Sequence, residues 1–271
     1  MENKVLIILG MHRSGTSLTA QWMHKCGINM GDELMPPTED NKQGYWEDMD
    51  FYRLHQEILS ANGLHPDGLY GNLRKLTLND LYKNKMQSLI ENKNRREKPW
   101  GWKDPKTCLF IEQYNRLVKN AFYLIVYRNP EEVIDSLLRR DLKDYVKKFN
   151  RQGVKGKIKK LFLKWYLKDT FEQLTTNYAE KYIYYNRQIL NFTEGLQQKD
   201  FYAFDIRNIF NIQKSFFEKL QDNGFNFDPV DARTVFDEQL MKHASKSVNR
   251  ESVKNNGELM QVYEQLKRIE S

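Results

Sequence analysis

This chain of 271 residues has few cysteines and lacks long apolar runs. Its 2 cysteines, Cys26 and Cys108, stand in apolar contexts without the spacing of a metal site. No stretch of about eighteen apolar residues is present, so we expect no transmembrane helix. A disulfide-rich secreted domain and an integral membrane protein are therefore disfavoured, and a reduced cytoplasmic protein fits best.

Targeting signals and internal repeats are also missing. Residues 1–4 lead directly into an apolar segment, so no signal peptide is expected and a cytoplasmic location follows. The length favours one domain over residues 1–271, with a helical insertion or lid at about 141–195.

The formal net charge of +7 favours an anionic ligand or partner. Much of this charge lies between Arg139 and Lys168, where lysines alternate with apolar residues. The pattern first predicts an amphipathic helix packed on the domain. The alternative is a lid that docks an anionic acceptor, or a peripheral contact with the inner face of the membrane. No nucleic-acid partner is expected.

The most informative stretch is the first 26 residues. Residues 5–9 are apolar and predict a buried strand, and residues 18–26 predict a helix that ends at Gly27. The connecting loop, residues 10–17, contains two glycines. A strand, a glycine-containing loop and a helix N-terminus form an anion site, because unpaired N–H groups and the helix dipole converge there.

This loop differs from a Walker A motif in one decisive position. Gly10 and Gly15 have the G-x4-G spacing, but Thr16 stands where an NTPase has its phosphate-binding lysine. The cation is Arg13, inside the loop, whose planar guanidinium can bind two oxygens at once. Thr16 and Ser17 add hydroxyl donors at the start of the helix. We expect an anion site that is distinct from an NTPase phosphate site.

A second strand-to-helix junction follows later in the chain. Residues 121–127 predict a core strand, and Pro130 starts a helix that runs to about residue 140. Arg128 leaves the strand, and Ser136 lies about two turns into the helix, so both can reach one phosphate. In a parallel sheet the two junctions lie at the same carboxyl edge.

The remaining elements complete an α/β fold with a central parallel sheet flanked by helices. Further strands are predicted at 100–103 and 201–205, and helices at 50–61, 77–92, 106–118, 142–150, 158–192, 210–223 and 258–269.

Three stretches together resemble the sulfotransferases that use 3′-phosphoadenylyl sulfate (PAPS). Residues 12–17, His-Arg-Ser-Gly-Thr-Ser, are similar to their 5′-phosphosulfate loop in its arginine form, as in tyrosylprotein and many bacterial sulfotransferases. Arg128 and Ser136 have the spacing of their 3′-phosphate pair. Residues 102–105 resemble a Lys-Asp-Pro element, and residues 201–224 resemble the final strand and helix of the family.

The resemblance implies a P-loop NTPase-like sulfotransferase fold with helical insertions, with PAPS as donor, adenosine 3′,5′-bisphosphate (PAP) as product and no metal. The residues that it implies for nucleotide binding are His12, Arg13, Ser14, Gly15, Thr16, Ser17, Arg128 and Ser136.

The implied chemistry is sulfuryl transfer, in which charge builds on the leaving oxygen and the acceptor loses a proton. Arg13 and Lys103 are the candidate catalytic cations. The resemblance implies that the base is a glutamate after the first helix. Glu47 is preferred, because Tyr45 and Trp46 are expected to desolvate it, with Glu33 and Glu39 as alternatives.

Two family features are absent. Pro105 stands where cytosolic steroid and phenol sulfotransferases have a catalytic histidine, and the C-terminal Arg-Lys-Gly segment is missing. Lys242, Lys246 or Arg250 could substitute for that segment.

The sequence leaves alternatives open for function and acceptor. A PAP- or polyanion-binding module without catalysis and a P-loop kinase of small metabolites are the competing functions. The acceptor pocket is predicted from residues 35–44, 62–76 and the lysine-rich stretch. A glycan, a lipid-linked saccharide or a small metabolite with a hydroxyl or amine group would each serve as acceptor.

Overall fold

A parallel sheet organises the chain. The computed structural model describes residues 3–37, 44–95, 98–150, 168–236, 253 and 255–271, and of residues 148–150 and 168–169 only the backbone. Within these ranges the sheet has four strands in the order β2-β1-β3-β4. They are β1 (Val5–Leu9), β2 (Trp100–Lys103), β3 (Ala121–Tyr127) and β4 (Phe201–Asp205).

The register places the ends of neighbouring strands side by side. Val5 pairs with Trp100 on one side and with Ala121 on the other, and Tyr123 pairs with Phe201. All pairs are parallel, so the loops that follow β1, β2, β3 and β4 meet at one edge. The predicted α/β fold class is confirmed.

Helices cover both faces of the sheet. They are α1 (Thr16–Lys25), α2 (Met49–Ala61), α3 (Asp80–Asn94), α4 (Ile111–Leu117), α5 (Pro130–Asn150), α6 (Lys168–Thr193), α7 (Ile209–Asp222) and α8 (Gly257–Arg268). Short 3₁₀ segments occur at Pro105–Leu109, Ile206–Asn208 and Ala232–Thr234.

Side chains cap several of these helices. Asp48 accepts a hydrogen bond from the Asp50 N–H at 2.9 Å, and Asn79 accepts one from the Tyr82 N–H at 3.0 Å. Such N-caps contribute about 0.5–2 kcal/mol each. The cap at Asp48 also fixes the position of Glu47, the residue directly before it.

The strands alternate their side chains between two apolar cores. Val5, Ile7 and Leu9 belong to the core with α2, α5, α6 and α8, whereas Leu6 and Ile8 belong to the core with α1 and α7. Because both faces are covered, β1 is buried along its whole length. This explains its continuous apolar sequence.

Some predicted helix bounds are wrong. The first helix begins at Thr16 rather than at residue 18, so its N-terminus reaches into the loop. The predicted helices at 130–140 and 142–150 are one helix, α5. Helix α5 continues through Asp141. The Asp141 carboxylate accepts hydrogen bonds from Tyr178 and Tyr70, so this polar side chain is satisfied within the fold. The predicted helix at 106–118 begins as a 3₁₀ turn.

Three aromatic side chains of α6 lie in the core of the protein. Tyr178, Tyr182 and Tyr185 are completely buried. No helix in the described ranges is long and apolar enough to cross a membrane.

Several predictions lie outside the described residues, namely residues 151–167 of the lysine-rich stretch, Glu39, Lys242, Lys246 and Arg250. The prediction of one domain with an insertion at about 141–195 stays a prediction.

Candidate functional site

The loop between β1 and α1 is held in a conformation that needs its glycines. At Gly15 the backbone has φ 96°, and a Cβ there would lie 2.5 Å from the Ile206 side chain. At Gly10 a Cβ would lie 2.3 Å from the Val126 carbonyl oxygen, closer than real contacts allow. The loop therefore packs directly on β3 and on the end of β4.

The first turn of α1 is suited to an anion. Gly15 occupies its N-cap without a side-chain hydrogen bond, and no acidic residue lies in the first turn. The N–H groups at a helix start have no partner within the helix, and the dipole adds positive potential. Ser14 and Thr16 are buried here, while Ser17 is half-buried. The geometry fits the predicted phosphosulfate loop.

Arg13 joins the two predicted anion sites. It is exposed, has φ 68° and donates a hydrogen bond from Nε to the Ser136 hydroxyl at 2.9 Å. A positive φ is uncommon for a residue with a side chain. The contact brings the β1–α1 loop and the Ser136 turn of α5 within one hydrogen bond of each other.

Lys103 and Glu47 form a buried ion pair. Lys103 Nζ lies 2.8 Å from Glu47 Oε1 and 3.2 Å from the Ser17 hydroxyl oxygen. The two residues are only 1% and 7% exposed. Lys103 ends β2, and Glu47 directly precedes the cap of α2. The predicted second cation and the preferred base are therefore in direct contact beside the loop.

The alternative base Glu33 lies elsewhere. Glu33 is exposed and pairs with Arg53 at 3.1 Å, on the surface of α2. Glu39 is outside the described residues. Of the two candidate glutamates that the structure describes, Glu47 is the one that contacts Lys103.

Arg128 leaves β3 as predicted, but a carboxylate holds its side chain. Its Nε lies 2.6 Å from Glu132 Oε2, one turn into α5. Its carbonyl oxygen accepts a hydrogen bond from Tyr182 at 2.8 Å. A phosphate that binds Arg128 would have to compete with Glu132. Glu132 was not predicted from the sequence, although its i, i+4 spacing from Arg128 favours such a pair.

A buried polar network supports the end of β2. The His55 ring lies with Nδ1 2.8 Å from Asp104 Oδ2 and with Nε2 2.7 Å from the Tyr114 hydroxyl oxygen. Burial lowers the pKa of His55, so the ring is neutral. Because a carboxylate only accepts, Nδ1 donates to Asp104, and Nε2 accepts from Tyr114.

The same network fixes Lys106. Its Nζ lies 3.1 Å from Asp104 Oδ1 and 4.2 Å from the centre of the Tyr52 ring. Burial opposes the charge of Lys106, but the carboxylates of Asp104 and Glu47 outweigh it and raise its pKa. Burial likewise raises the pKa of Asp104, but the Lys106 charge and His55 outweigh it and hold that pKa below its ordinary range. Asp104 and Lys106 are thus a charged pair inside the protein.

Neither His55 nor Lys106 was predicted as part of this region. The available signal for His55 was its position one turn after Phe51, on the apolar face of α2. Both residues are buried.

His12 belongs to the loop, and its ring lies against α6. Its ring contacts Tyr185 edge to face, with 5.8 Å between ring centres. Burial and the nearby charge of Lys106 lower its pKa well below 6.5, with smaller contributions from Arg140 and Lys103 and an opposing one from Asp104. The imidazole is therefore neutral and lies in positive surroundings.

A cluster of three carboxylates lies outside this site. Asp32, Asp48 and Asp50 offer oxygens within 4.8 Å of one another. Lys93 Nζ lies 2.9, 2.7 and 2.8 Å from them, respectively. The lysine is the counter-ion of this cluster, which anchors α3 to the start of α2.

Sequence comparisons give no match: no family model and no curated protein matches the chain. Solved structures do match it. The chain is similar to the sulfotransferase domain from the curacin biosynthetic pathway, with 16% identity, 98% of each chain covered and a TM-score of 0.52. It is also similar to the sulfotransferase domain from the Synechococcus PCC 7002 olefin synthase, with 13% identity, coverage of 98% and 96%, and a TM-score of 0.50.

A third similar structure is a sulfotransferase from Alicyclobacillus acidocaldarius, with 13% identity, coverage of 99% of this chain and 96% of that one, and a TM-score of 0.51. At such low identity the likeness concerns the fold. The four-stranded parallel sheet with its flanking helices is the fold of the sulfotransferases.

Proposed function

We propose that this protein is a sulfotransferase that moves the sulfuryl group of PAPS to a hydroxyl or amine of an acceptor, leaving PAP. The single observation that carries the proposal is the 2.9 Å contact between Arg13 and Ser136. It joins the two predicted anion sites at one sheet edge, and a nucleotide with a 5′-phosphosulfate and a 3′-phosphate has two anionic groups that would fill them. The sulfotransferase fold supports it.

The residues of the site fit such a donor. The loop leads into the N-terminus of α1, whose first N–H groups have no partner within the helix and can bind an anion. Arg13, Lys103 and Arg128 supply positive charge around it. PAPS supplies an activated sulfuryl group, and the protein supplies position, charge and a proton acceptor.

Arg13 and Lys103 would act on the charge that develops during transfer. The acceptor oxygen or nitrogen forms a bond to sulfur while the bond from sulfur to the phosphate oxygen breaks, and PAP leaves with that electron pair. Fixed cations at this oxygen stabilise the transition state more than the ground state.

Glu47 would take the proton of the acceptor. In the structure its carboxylate is paired with Lys103 at 2.8 Å. When Lys103 turns to the leaving oxygen, the Glu47 carboxylate is released to accept the acceptor's proton. The ion pair thus links donor binding to activation of the acceptor.

Calorimetry with PAP and 5′-AMP tests the proposal. The 3′-phosphate should add a charge-assisted contact of about 1.5–3 kcal/mol, equivalent to about 10- to 150-fold tighter binding. Arg128→Gln should remove this preference. Arg116→Gln is the matched control, because Arg116 is exposed and precedes the amino end of β3, near the opposite sheet edge. Equal affinity for PAP and 5′-AMP in the unaltered protein would refute the proposal.

Transfer itself is then measured with labelled PAPS and a panel of hydroxylated glycans, lipid-linked saccharides and small metabolites. A protein that binds PAP but transfers no label to any of them would instead be a binding module.

A further inference from the structure

His12 has a buried nitrogen that nothing in the described structure satisfies. Its Nε2 atom is shielded from solvent and has no hydrogen-bond partner among the described residues. The residue as a whole is half-buried, so its exposed part lies elsewhere. A buried polar atom without a partner costs about 1–3 kcal/mol. Such atoms are rare in native proteins and call for an explanation, such as a ligand.

The ring is also held in place. Tyr185 packs against it edge to face, and the Tyr185 hydroxyl donates to the Gly68 carbonyl oxygen at 3.3 Å. Gly68 has no space for a side chain, because a Cβ would lie 2.5 Å from that hydroxyl. The contact between the Gly68 segment and α6 therefore fixes the partner ring against which His12 packs.

The charges around His12 decide what it can do. Lys106, Arg140 and Lys103 make its surroundings positive, with Asp104 as the one opposing charge that acts on it. Positive surroundings make an imidazole a weak base, because they disfavour the imidazolium form. They do not impair a neutral imidazole as a hydrogen-bond donor, and they attract an anionic oxygen to it. The position favours a donor rather than a proton acceptor.

We propose that His12 donates a hydrogen bond from Nε2–H to an oxygen of the sulfuryl group during its transfer. The inference rests on the proposed function and goes beyond the membership of His12 in the loop. His12 directly precedes Arg13 and lies in the field of Lys103, the two cations assigned to this group. No proton leaves His12 in the step: the acceptor's proton goes to Glu47, and PAP leaves with the electrons of the broken bond.

Two substitutions separate this role from others. Gln at position 12 can place its amide N–H near the position of Nε2, but it cannot act as a base. Leu fills similar space without a donor. We expect His12→Gln to keep kcat within about tenfold of the unaltered protein, and His12→Leu to lower it by about 10²–10³, as for loss of an oxyanion donor.

Nucleotide binding provides the readout that a structural role would not give. PAP lacks the sulfuryl group, so both variants should bind PAP within about threefold of the unaltered protein. PAPS binding without acceptor should weaken in His12→Leu relative to PAP. Circular dichroism and the PAP titration show whether each variant is folded.

Each outcome has one meaning. If both variants lose kcat equally while binding PAP normally, His12 acts as a base and the donor role is wrong. If His12→Leu transfers sulfate like the unaltered protein, His12 has no role in transfer. If His12→Leu loses PAP binding and His12→Gln also loses activity, the residue is structural and the inference fails. If the unaltered protein binds no PAP, the proposed function itself fails.

Discussion

Glu132→Gln is expected to strengthen PAP binding. The Glu132 carboxylate lies 2.6 Å from Arg128 Nε, and the two side chains are 18% and 22% exposed, respectively. The proposed 3′-phosphate needs the same guanidinium. Glu132 therefore competes for Arg128 and also repels the phosphate, and its neutral isostere removes both effects.

The size of the effect follows from the distances. Two unit charges 4–5 Å apart interact by about 3–4 kcal/mol at an effective dielectric constant of ~20. Partial exposure and salt reduce this repulsion. Displacing Glu132 from Arg128 costs the phosphate only about 0.3–0.5 kcal/mol, and Glu132→Gln removes this cost. We expect a net gain of about 1–2 kcal/mol, equivalent to about 5- to 30-fold tighter PAP binding.

Calorimetry at fixed ionic strength measures this gain. Glu131→Gln is the matched control, because Glu131 lies in the same first turn of α5 and loses the same charge. Binding of 5′-AMP should change much less than binding of PAP. Unchanged PAP affinity in Glu132→Gln, or an equal gain in Glu131→Gln, would refute the assignment of Arg128 to the 3′-phosphate.

Three further predictions concern lysines and pH. Lys103→Ala should lower kcat by about 10²–10³ while PAP affinity stays within threefold. The exposed control Lys214→Ala should leave both kcat and PAP affinity unchanged. A loss of kcat below tenfold in Lys103→Ala would require another cation. Lys93→Met should lower the free energy of unfolding in urea by about 3–5 kcal/mol, because the buried carboxylate of Asp48 loses its counter-ion. The exposed control Lys83→Met should change that free energy by less than about 1 kcal/mol. Equal effects of the two substitutions would contradict this prediction. Because burial lowers the pKa of His55 below 6.5, the unfolded chain binds this proton more tightly. Stability should therefore fall as the pH drops from about 6.5 toward the folded-state pKa, and His55→Gln should reduce this slope in urea titrations between pH 7.5 and 5.5; an unchanged slope would assign it to other groups.

The strands and the edge at which they end were predictable from the sequence. Val5–Leu9 and Ala121–Tyr127 are apolar runs that end in glycine or arginine, and a sheet covered on both faces needs such runs. Local composition therefore indicated that Arg13 and Arg128 would both follow strands at the same edge of the sheet. The contact between Lys103 and Glu47 was not predicted, although both residues were proposed separately.

The buried network around His55 and Asp104 could not be predicted from local sequence. Asp104 and His55 are 49 positions apart, and nothing in the sequence near either indicates the other. The pairing depends on how α2 crosses the end of β2, which is a property of packing. Glu132 was not predicted for a different reason. Its spacing from Arg128 was visible, but Ser136, one turn later, was the residue whose hydroxyl suited a phosphate.

The strand order has a consequence for how the protein folds. The central strand β1 pairs with β2 and β3, which begin more than ninety positions later in the chain. Arg13 and Ser136 are 123 positions apart, and Lys103 and Ser17 are 86 apart. Contacts of such separation require closure of long loops, so folding is expected to be slow and the site forms only when the non-local pairings exist.

A chain that lacks these non-local pairings could not hold a nucleotide across both proposed anion sites. A nucleotide that binds only the complete fold stabilises it by RT ln(1 + [L]/Kd), and the protection extends to the amides of β1. Hydrogen exchange in the middle of the sheet would thus report occupancy at its edge.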